Sequence, residues 1–217
     1  MVDKEYRKKK IASKTLKFLI SKITKNNGYV ITFPIRDITK KIFSKKNFRK
    51  LFHICTYEML LKKKYKVEKK LILKNSTKVK IENKDMKLIN GCLNKYPIYN
   101  LRSKNYLNWR YNLNYGSYKI TRIFSNNEMI GLLIGKFYQQ DKSICICELF
   151  FKKNTNIYLK SLIESAVLNF KKNRPRKIKI WSMSYFSFHK DLLNLGFKNS
   201  RFKTNVCTYK NLSKNKS

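Results

Sequence analysis

Between residues 117 and 152 the pattern changes to a strand-like period of two and fits three successive runs, 117–125, 128–138 and 143–152. A period of two puts alternate side chains on opposite faces of an extended chain, so these runs predict three β-strands. Asn126 and Asn127 alone separate the first two. Asn tolerates the left-handed conformations of a two-residue hairpin turn, which predicts an antiparallel meander. Immediately beyond, Leu159, Leu162, Ile163, Ala166, Val167 and Phe170 follow helical spacing without interruption. This predicts a helix over 156–170, with Asn154, Thr155 or Asn156 available as N-cap and Lys171-Lys172 suited to the negative end of its dipole. Residues 177–182 alternate again as a strand. A right-handed helical crossover is the normal route between two parallel strands, so 177–182 is expected parallel to and beside 143–152.

The rest of the chain is built from shorter pieces. Ser187 is placed to cap a short helix through Leu195, Gly196 to close it in a left-handed conformation with Phe197 packing back, and 201–210 to form a last strand. Residues 85–94 and 104–111 look helical. Upstream, Leu16, Leu19, Ile20 and Ile23 predict an amphipathic helix over 10–25, followed by a short strand at 29–33 that Pro34 ends. Ile35, Ile38 and Ile42 mark a second helix stopping near Asn47-Phe48. A strand pair, 51–61 and 65–73, is expected around a Lys62-Lys63-Lys64 turn, with 74–77 the most linker-like segment. Helix, strand, short helix, Asn47-Phe48 and strand echo helix, strand, short helix, Gly196-Phe197 and strand. Asn is the commonest substitute for Gly in a left-handed cap, which gives the echo a physical basis. The expected organisation is a partial repeat in 1–75 and a fuller unit in 76–217.

The chain has 217 residues with 42% hydrophobic content, enough for a packed core. No run approaches the roughly 20 apolar residues of a membrane span. The charged first ten residues lack an apolar signal region behind them, so a cytoplasmic location is expected. Of five cysteines, Cys145 and Cys147 form the one close pair, as CxC within an apolar run. Buried reduced thiols are therefore expected, with neither zinc nor disulfides. Fifty-one Lys and Arg against twelve Asp and Glu give a net charge of +39, which brings a polyanionic partner into consideration. The chain is also rich in Lys, Asn, Ile, Tyr and Phe and poor in Gly, Pro and Ala, as A+T-rich coding would produce. That bias inflates Lys without any ligand, yet does not explain the scarcity of Glu. Basic clusters at 7–10, 62–70 and 171–177 read mainly as solvated faces, and there is no helix-turn-helix, zinc-finger or RNP-type signature. Nucleic acid is a possible partner, not the favoured one.

Three antiparallel strands, a long helix, a strand, a short helix ending in Gly196-Phe197 and a closing strand is an order of elements that resembles the GNAT acetyltransferase superfamily over residues 77–210. Tyr106-Leu107-Asn108-Trp109-Arg110-Tyr111, just before the first strand, is similar to the "LNWRY" segment of a GNAT branch of tandem proteins linked to surface-polysaccharide biosynthesis. Thr32-Phe33-Pro34 lies near the "FPN" of that branch. The resemblance implies an α/β (α+β) fold with a mixed, mostly antiparallel sheet flanked by helices, preceded by a partial copy of the same unit. It implies an N-acyltransferase using acetyl-CoA as donor, without a metal, and a small amine or amino sugar as acceptor.

In that family a splay between two strands exposes backbone groups to the pantetheine arm, and the next helix N-terminus receives the pyrophosphate. The residues implied for the donor are Phe151, Lys152, Lys153, Asn154, Thr155 and Asn156. This stretch lacks the glycine-rich loop usual there, so Lys152 and Lys153 would act by charge. Glu148 is implied as the base for the amine, with pairing to Arg110 or a Lys as its structural alternative. The usual general-acid Tyr is replaced by Leu192, leaving Tyr185 and His189 as substitutes. Trp109 reads as a core anchor and Arg110 as a structural ion-pair partner. Two rivals remain open: an inactive GNAT-fold binding module and a basic nucleic-acid-binding protein. Nothing in the sequence fixes the oligomeric state.

Overall fold

The structure, a computed structural model, describes residues 11–25, 30–32, 48–61, 71–76, 78–94, 102–112, 117–152, 156–182 and 188–209. The chain packs as two compact units, residues 1–55 with 201–217 and residues 56–200. The division by packing thus falls at 55/56 and 200/201, while the expected repeat boundary at 75/76 lies inside the larger unit. Among the described residues no helix is long and apolar enough to cross a membrane.

The smaller unit contains helix α1 (Ile11–Lys25), strand β1 (Val30–Thr32), the start of β2 (Arg49–Leu60) and most of the last strand, β8 (Lys198–Tyr209). β1 and β8 are antiparallel, with Val30 opposite Tyr209 and Thr32 opposite Cys207. The expected helix and strand at 10–33 are therefore present. The expected helix over Ile35–Ile42, the Asn47 cap and Phe33-Pro34 lie outside the described residues.

The larger unit runs from the end of β2 through β3 (Ile72–Ser76), α2 (Asn83–Leu93), α3 (Lys104–Asn112), β4 (Tyr118–Ser125), β5 (Glu128–Tyr138) and β6 (Ser143–Phe151). It continues through α4 (Asn156–Asn169), a 3-10 turn (Lys171–Asn173), β7 (Lys177–Ser182) and α5 (His189–Asn194) to the start of β8. Its strands lie in the order β2-β7-β6-β5-β4-β3. The pairs β3–β4, β4–β5 and β5–β6 are antiparallel, and β6–β7 is parallel. The meander and the crossover thus form as the periodicity predicts, and the Asn126-Asn127 turn has φ of 47° and 60°. The fold class is the expected one: mixed α/β, mostly antiparallel, flanked by helices.

Of the predicted hairpin of 51–61 with 65–73, the Lys62-Lys63-Lys64 turn and residues 65–70 lie outside the described residues; β2 lies beside β7, and β3 holds an edge of the sheet. β3 instead pairs with β4, bringing Lys74 opposite Arg122 and Asn75 opposite Thr121. Residues 74–76 of the segment taken as linker-like therefore lie in an edge strand. Ladder bonds come from the backbone, and an exposed edge carries Lys and Asn at little cost, so composition alone misleads there.

Both faces of the meander are buried. On one, Leu88 and Ile89 of α2 and Leu107 and Tyr111 of α3 pack on Ile120, Leu132, Ile134 and Phe150. α4 covers the other, where Gly131 permits close approach: a Cβ there would lie 2.9 Å from Ile123 Cγ1 and 3.2 Å from Leu162 Cδ2. α5 ends as predicted. Gly196 has φ of +97°, its N–H reaches the Leu193 carbonyl at 2.9 Å, and the Phe197 N–H reaches the Leu192 carbonyl at 3.0 Å. This is a Schellman closure, and it buries Phe197.

Candidate functional site

The site is organised by an irregularity in β6. Gly135 of β5 faces Ile146, but the preceding Ile134 faces Glu148, so Cys147 is an extra residue in the ladder. A bulge of this kind reverses the alternation beyond it. Ile144, before the bulge, contacts the Gly135 position on the α4 side, with Phe170 close by. Phe150, after it, belongs to the cluster under α2 and α3. Glu148, two residues before Phe150, is thereby turned to the α2/α3 face, where an unbroken strand would have sent it toward α4.

There α3 meets it. Leu107 and Tyr111, four residues apart, form the inward stripe of α3 and are 0% and 3% exposed. The Tyr111 hydroxyl donates to Glu148 Oε1 at 2.7 Å, and Arg102 Nε lies 3.1 and 3.2 Å from the two carboxylate oxygens. Burial, then the Glu148 charge and the hydrogen bond to it, push the Tyr111 hydroxyl well above the usual tyrosine range. Asn108 pins α3 from the side, accepting from the Ile81 N–H at 2.7 Å and donating to its carbonyl at 3.3 Å. Trp109 is not a core anchor: it is 63% exposed. Its position, two residues from both Leu107 and Tyr111, turns it off the buried stripe. Arg110 donates to the Tyr106 hydroxyl at 2.9 Å and stacks near the Tyr106 and Tyr111 rings, so the ion-pair partner of Glu148 is Arg102 instead.

A second carboxylate on this side has a different setting. Asp85, fully buried, receives Arg122 Nε at 2.8 Å on Oδ1 and Nη2 at 2.7 Å on Oδ2. Oδ2 also accepts the Glu82 N–H at 2.7 Å, and Arg122 Nη2 donates to the Lys80 carbonyl at 2.6 Å. The arrangement locks the start of α2 to β4.

β6 and β7 pair from Ser143–Lys177 to Cys145–Lys179. Residues 146–151 of β6 and 180–182 of β7 continue past the last pair, so the pairing of the two strands ends three residues before Glu148. Phe151, the last residue of β6, packs edge-on against Phe188 with ring centres 6.0 Å apart. The Lys152 N–H bonds the Ile130 carbonyl at 2.9 Å, and its ammonium pairs with Glu128. Asn156 opens α4; Lys153, Asn154 and Thr155 lie outside the described residues, as do Tyr185 and Ser187. His189 opens α5, buried, with Nδ1 3.3 Å from Ser182 Oγ and its ring edge-on to Tyr57 at 4.9 Å. Leu192, in the place of the family's tyrosine, is fully buried. Among the described residues no hydrogen bond joins Glu148 to His189. Cys55, Cys92, Cys145 and Cys147 form no disulfide; Cys147, in the bulge, is exposed where a buried one was expected.

Arg102 and Tyr111 are the site residues that sequence reasoning missed. The i, i+4 relation of Leu107 and Tyr111 signals that Tyr111 faces the sheet. Nothing in the sequence singles out Arg102.

This architecture is that of the GNAT fold. A GCN5-related N-acetyltransferase from Anabaena variabilis superposes with a TM-score of 0.64 at 14% identity, covering 94% of this chain and 51% of its own. A probable N-acyltransferase from Enterococcus faecalis gives 0.64 at 12% identity, covering 95% and 51%. A tandem GNAT protein from the clavulanic acid biosynthesis pathway gives 0.58 at 9% identity, covering 97% and 73%. The chain thus spans about half the length of the first and second of these. No protein-family model and no curated protein matches the sequence.

Proposed function

We propose that the chain is a GNAT-fold N-acyltransferase that moves an acetyl group from acetyl-CoA to an amino sugar or other small amine. The observation that carries this is the end of β6–β7 pairing at Cys145–Lys179 with Glu148 buried three residues further along β6. Unpaired strand backbone is costly to leave bare, and an extended amide-bearing arm laid between the strands would satisfy it. The start of α4 adds N–H groups without helical partners, and Phe151, Lys152, Lys153, Asn154, Thr155 and Asn156 would line the donor's phosphate end. In the reaction, Glu148 accepts the amine proton, the nitrogen forms a bond to the thioester carbonyl carbon, and the carbon–sulfur bond breaks. Oε1 already receives Tyr111 and Arg102, whereas Oε2 receives Arg102 alone among the described residues, so Oε2 is the atom for the amine proton. His189 or Tyr185 would return a proton to the leaving sulfur. The similarity of residues 106–111 to the polysaccharide-linked branch points the acceptor toward an amino sugar, and the partial repeat in 1–75 fits a tandem ancestor.

Titration calorimetry with acetyl-CoA tests the reading. Saturable binding is expected, weakened by Lys152→Glu/Lys153→Glu. Glu148→Gln should bind the donor as the parent does and turn over about 100-fold or more slowly. The inactive-module reading rests on Leu192 and on the engagement of Lys152 with Glu128. It requires no donor affinity in the parent protein.

A further inference from the structure

At the opposite end of α4 from the donor site, about 20 Å away for a 14-residue helix, the chain gathers cations without counter-charges. Lys171, Lys172, Arg174 and Arg176 are exposed, and exposed Lys142 joins them because its carbonyl accepts the Arg176 N–H at 2.7 Å. None of the five is ion-paired among the described residues. The nearby acids, Asp141 and Glu58, are already engaged, Asp141 by Lys179, Lys177 and Ser143 and Glu58 by Lys177. Nor does complementing the α4 dipole explain the group, since Lys119 Nζ already caps the Asn169 carbonyl at 2.8 Å. Burial, and after it the neighbouring Lys172 charge, lower the Lys119 pKa.

The second observation is backbone strain. Lys142 and Arg174 have φ of 47° and 49°, the left-handed region that side chains other than Asn and Asp seldom occupy. At the other two left-handed non-glycine positions among the described residues stand Asn126 and Asn127. Coding bias toward A+T supplies Asn as readily as Lys, so it does not account for cations at the two strained positions. Strain retained alongside uncompensated charge points to a ligand.

We infer that this end of the larger unit is a binding surface for the phosphodiester backbone of duplex nucleic acid, read without regard to sequence. Duplex DNA carries about one charge per 1.7 Å, so a compact cation group releases more counterions from it than from a sparsely charged polysaccharide. The inference stands apart from the acyltransferase reading.

The test is fluorescence anisotropy of a 20-base-pair duplex with the full chain across a KCl series. Changing Lys142 and Arg174 to Asn and Lys171, Lys172 and Arg176 to Gln should weaken binding more than tenfold at 100 mM salt. It should also make the log–log salt slope shallower by about 3 to 4. A control changing Lys14, Lys17, Lys22, Lys78 and Lys190 to Gln should lose far less. The double variant Lys142→Asn/Arg174→Asn covers any folding defect of the larger change: its slope should fall by about 2 while its melting temperature rises. Equal losses in the control, or an unchanged slope, would overturn the surface. Displacement of the duplex by hyaluronate at equal charge concentration would overturn the choice of nucleic acid.

Discussion

Two carboxylates are buried on the α2/α3 side of the sheet, and each meets an arginine, but in different ways. Asp85 is gripped by a fork: two nitrogens of Arg122 go to its two oxygens, a backbone N–H adds a third bond, and the Arg122 side chain is 9% exposed. Glu148 meets Nε of Arg102 alone, shared between both oxygens, together with Tyr111, and the Arg102 side chain is 24% exposed. A dry ion pair repays its desolvation only when geometry is good and remaining donors and acceptors are filled. Asp85 meets that standard and Glu148 falls short of it on Oε2. The difference separates a carboxylate spent on holding the fold from one that retains capacity for a substrate proton.

Asp85→Asn attacks the first arrangement. It replaces one fork acceptor with an NH2 facing the guanidinium and leaves Arg122 charged and buried, so about 3–5 kcal/mol of stability should be lost in urea denaturation. Glu148→Gln attacks the second. Its carbonyl still accepts from Tyr111, and Arg102 can turn toward water, so the loss should be about 1–2 kcal/mol. Equal losses for the two variants would make Glu148 a clamp of the Asp85 kind, and its assignment as a base would fail.

How much of this could be read beforehand depends on what each feature leaves in the sequence. The meander, its Asn126-Asn127 turn, α4, β7 and the Gly196 closure all follow from spacing, because period and turn chemistry are local. The β3–β4 pairing was missed because a partner strand is a non-local choice, and the polar residues of 74–76 carry no apolar alternation. Glu148 stands out as a residue, yet the bulge at Cys147 that aims it is invisible in the sequence, because the continuous apolar run 144–147 carries no alternation from which a register shift could be read. Residues 106–111 show both outcomes. The segment was recognised, but the conspicuous Trp109 drew the core assignment, whereas helical geometry gives it to Leu107 and Tyr111. The domain expectation rested on an echo between distant segments, one half of which lies partly outside the described residues.

The mildest perturbation refines the Glu148 side of the contrast without removing its charge. Tyr111→Phe deletes one hydroxyl and leaves the ring packed edge-on to Tyr118, so the loss at pH 8 should be about 1.5 kcal/mol, that of a hydrogen bond to a charged acceptor. Its pH dependence identifies the cause. The folded protein holds the Tyr111 proton more tightly than the unfolded chain does, because burial and the neighbouring Glu148 charge disfavour the phenolate. A raised folded pKa gives stability that is complete below the unfolded value, about 10, and declines as pH rises beyond it. The stability gap between parent and Tyr111→Phe should therefore be constant from pH 7 to 9 and narrow between pH 10 and 11, since the parent alone has this proton to lose. Taking the difference between the two proteins cancels the remaining tyrosines and lysines. A gap that stays constant through pH 11 would mean that the hydroxyl is not held against the Glu148 charge, and Oε1 would then be as open to a substrate as Oε2.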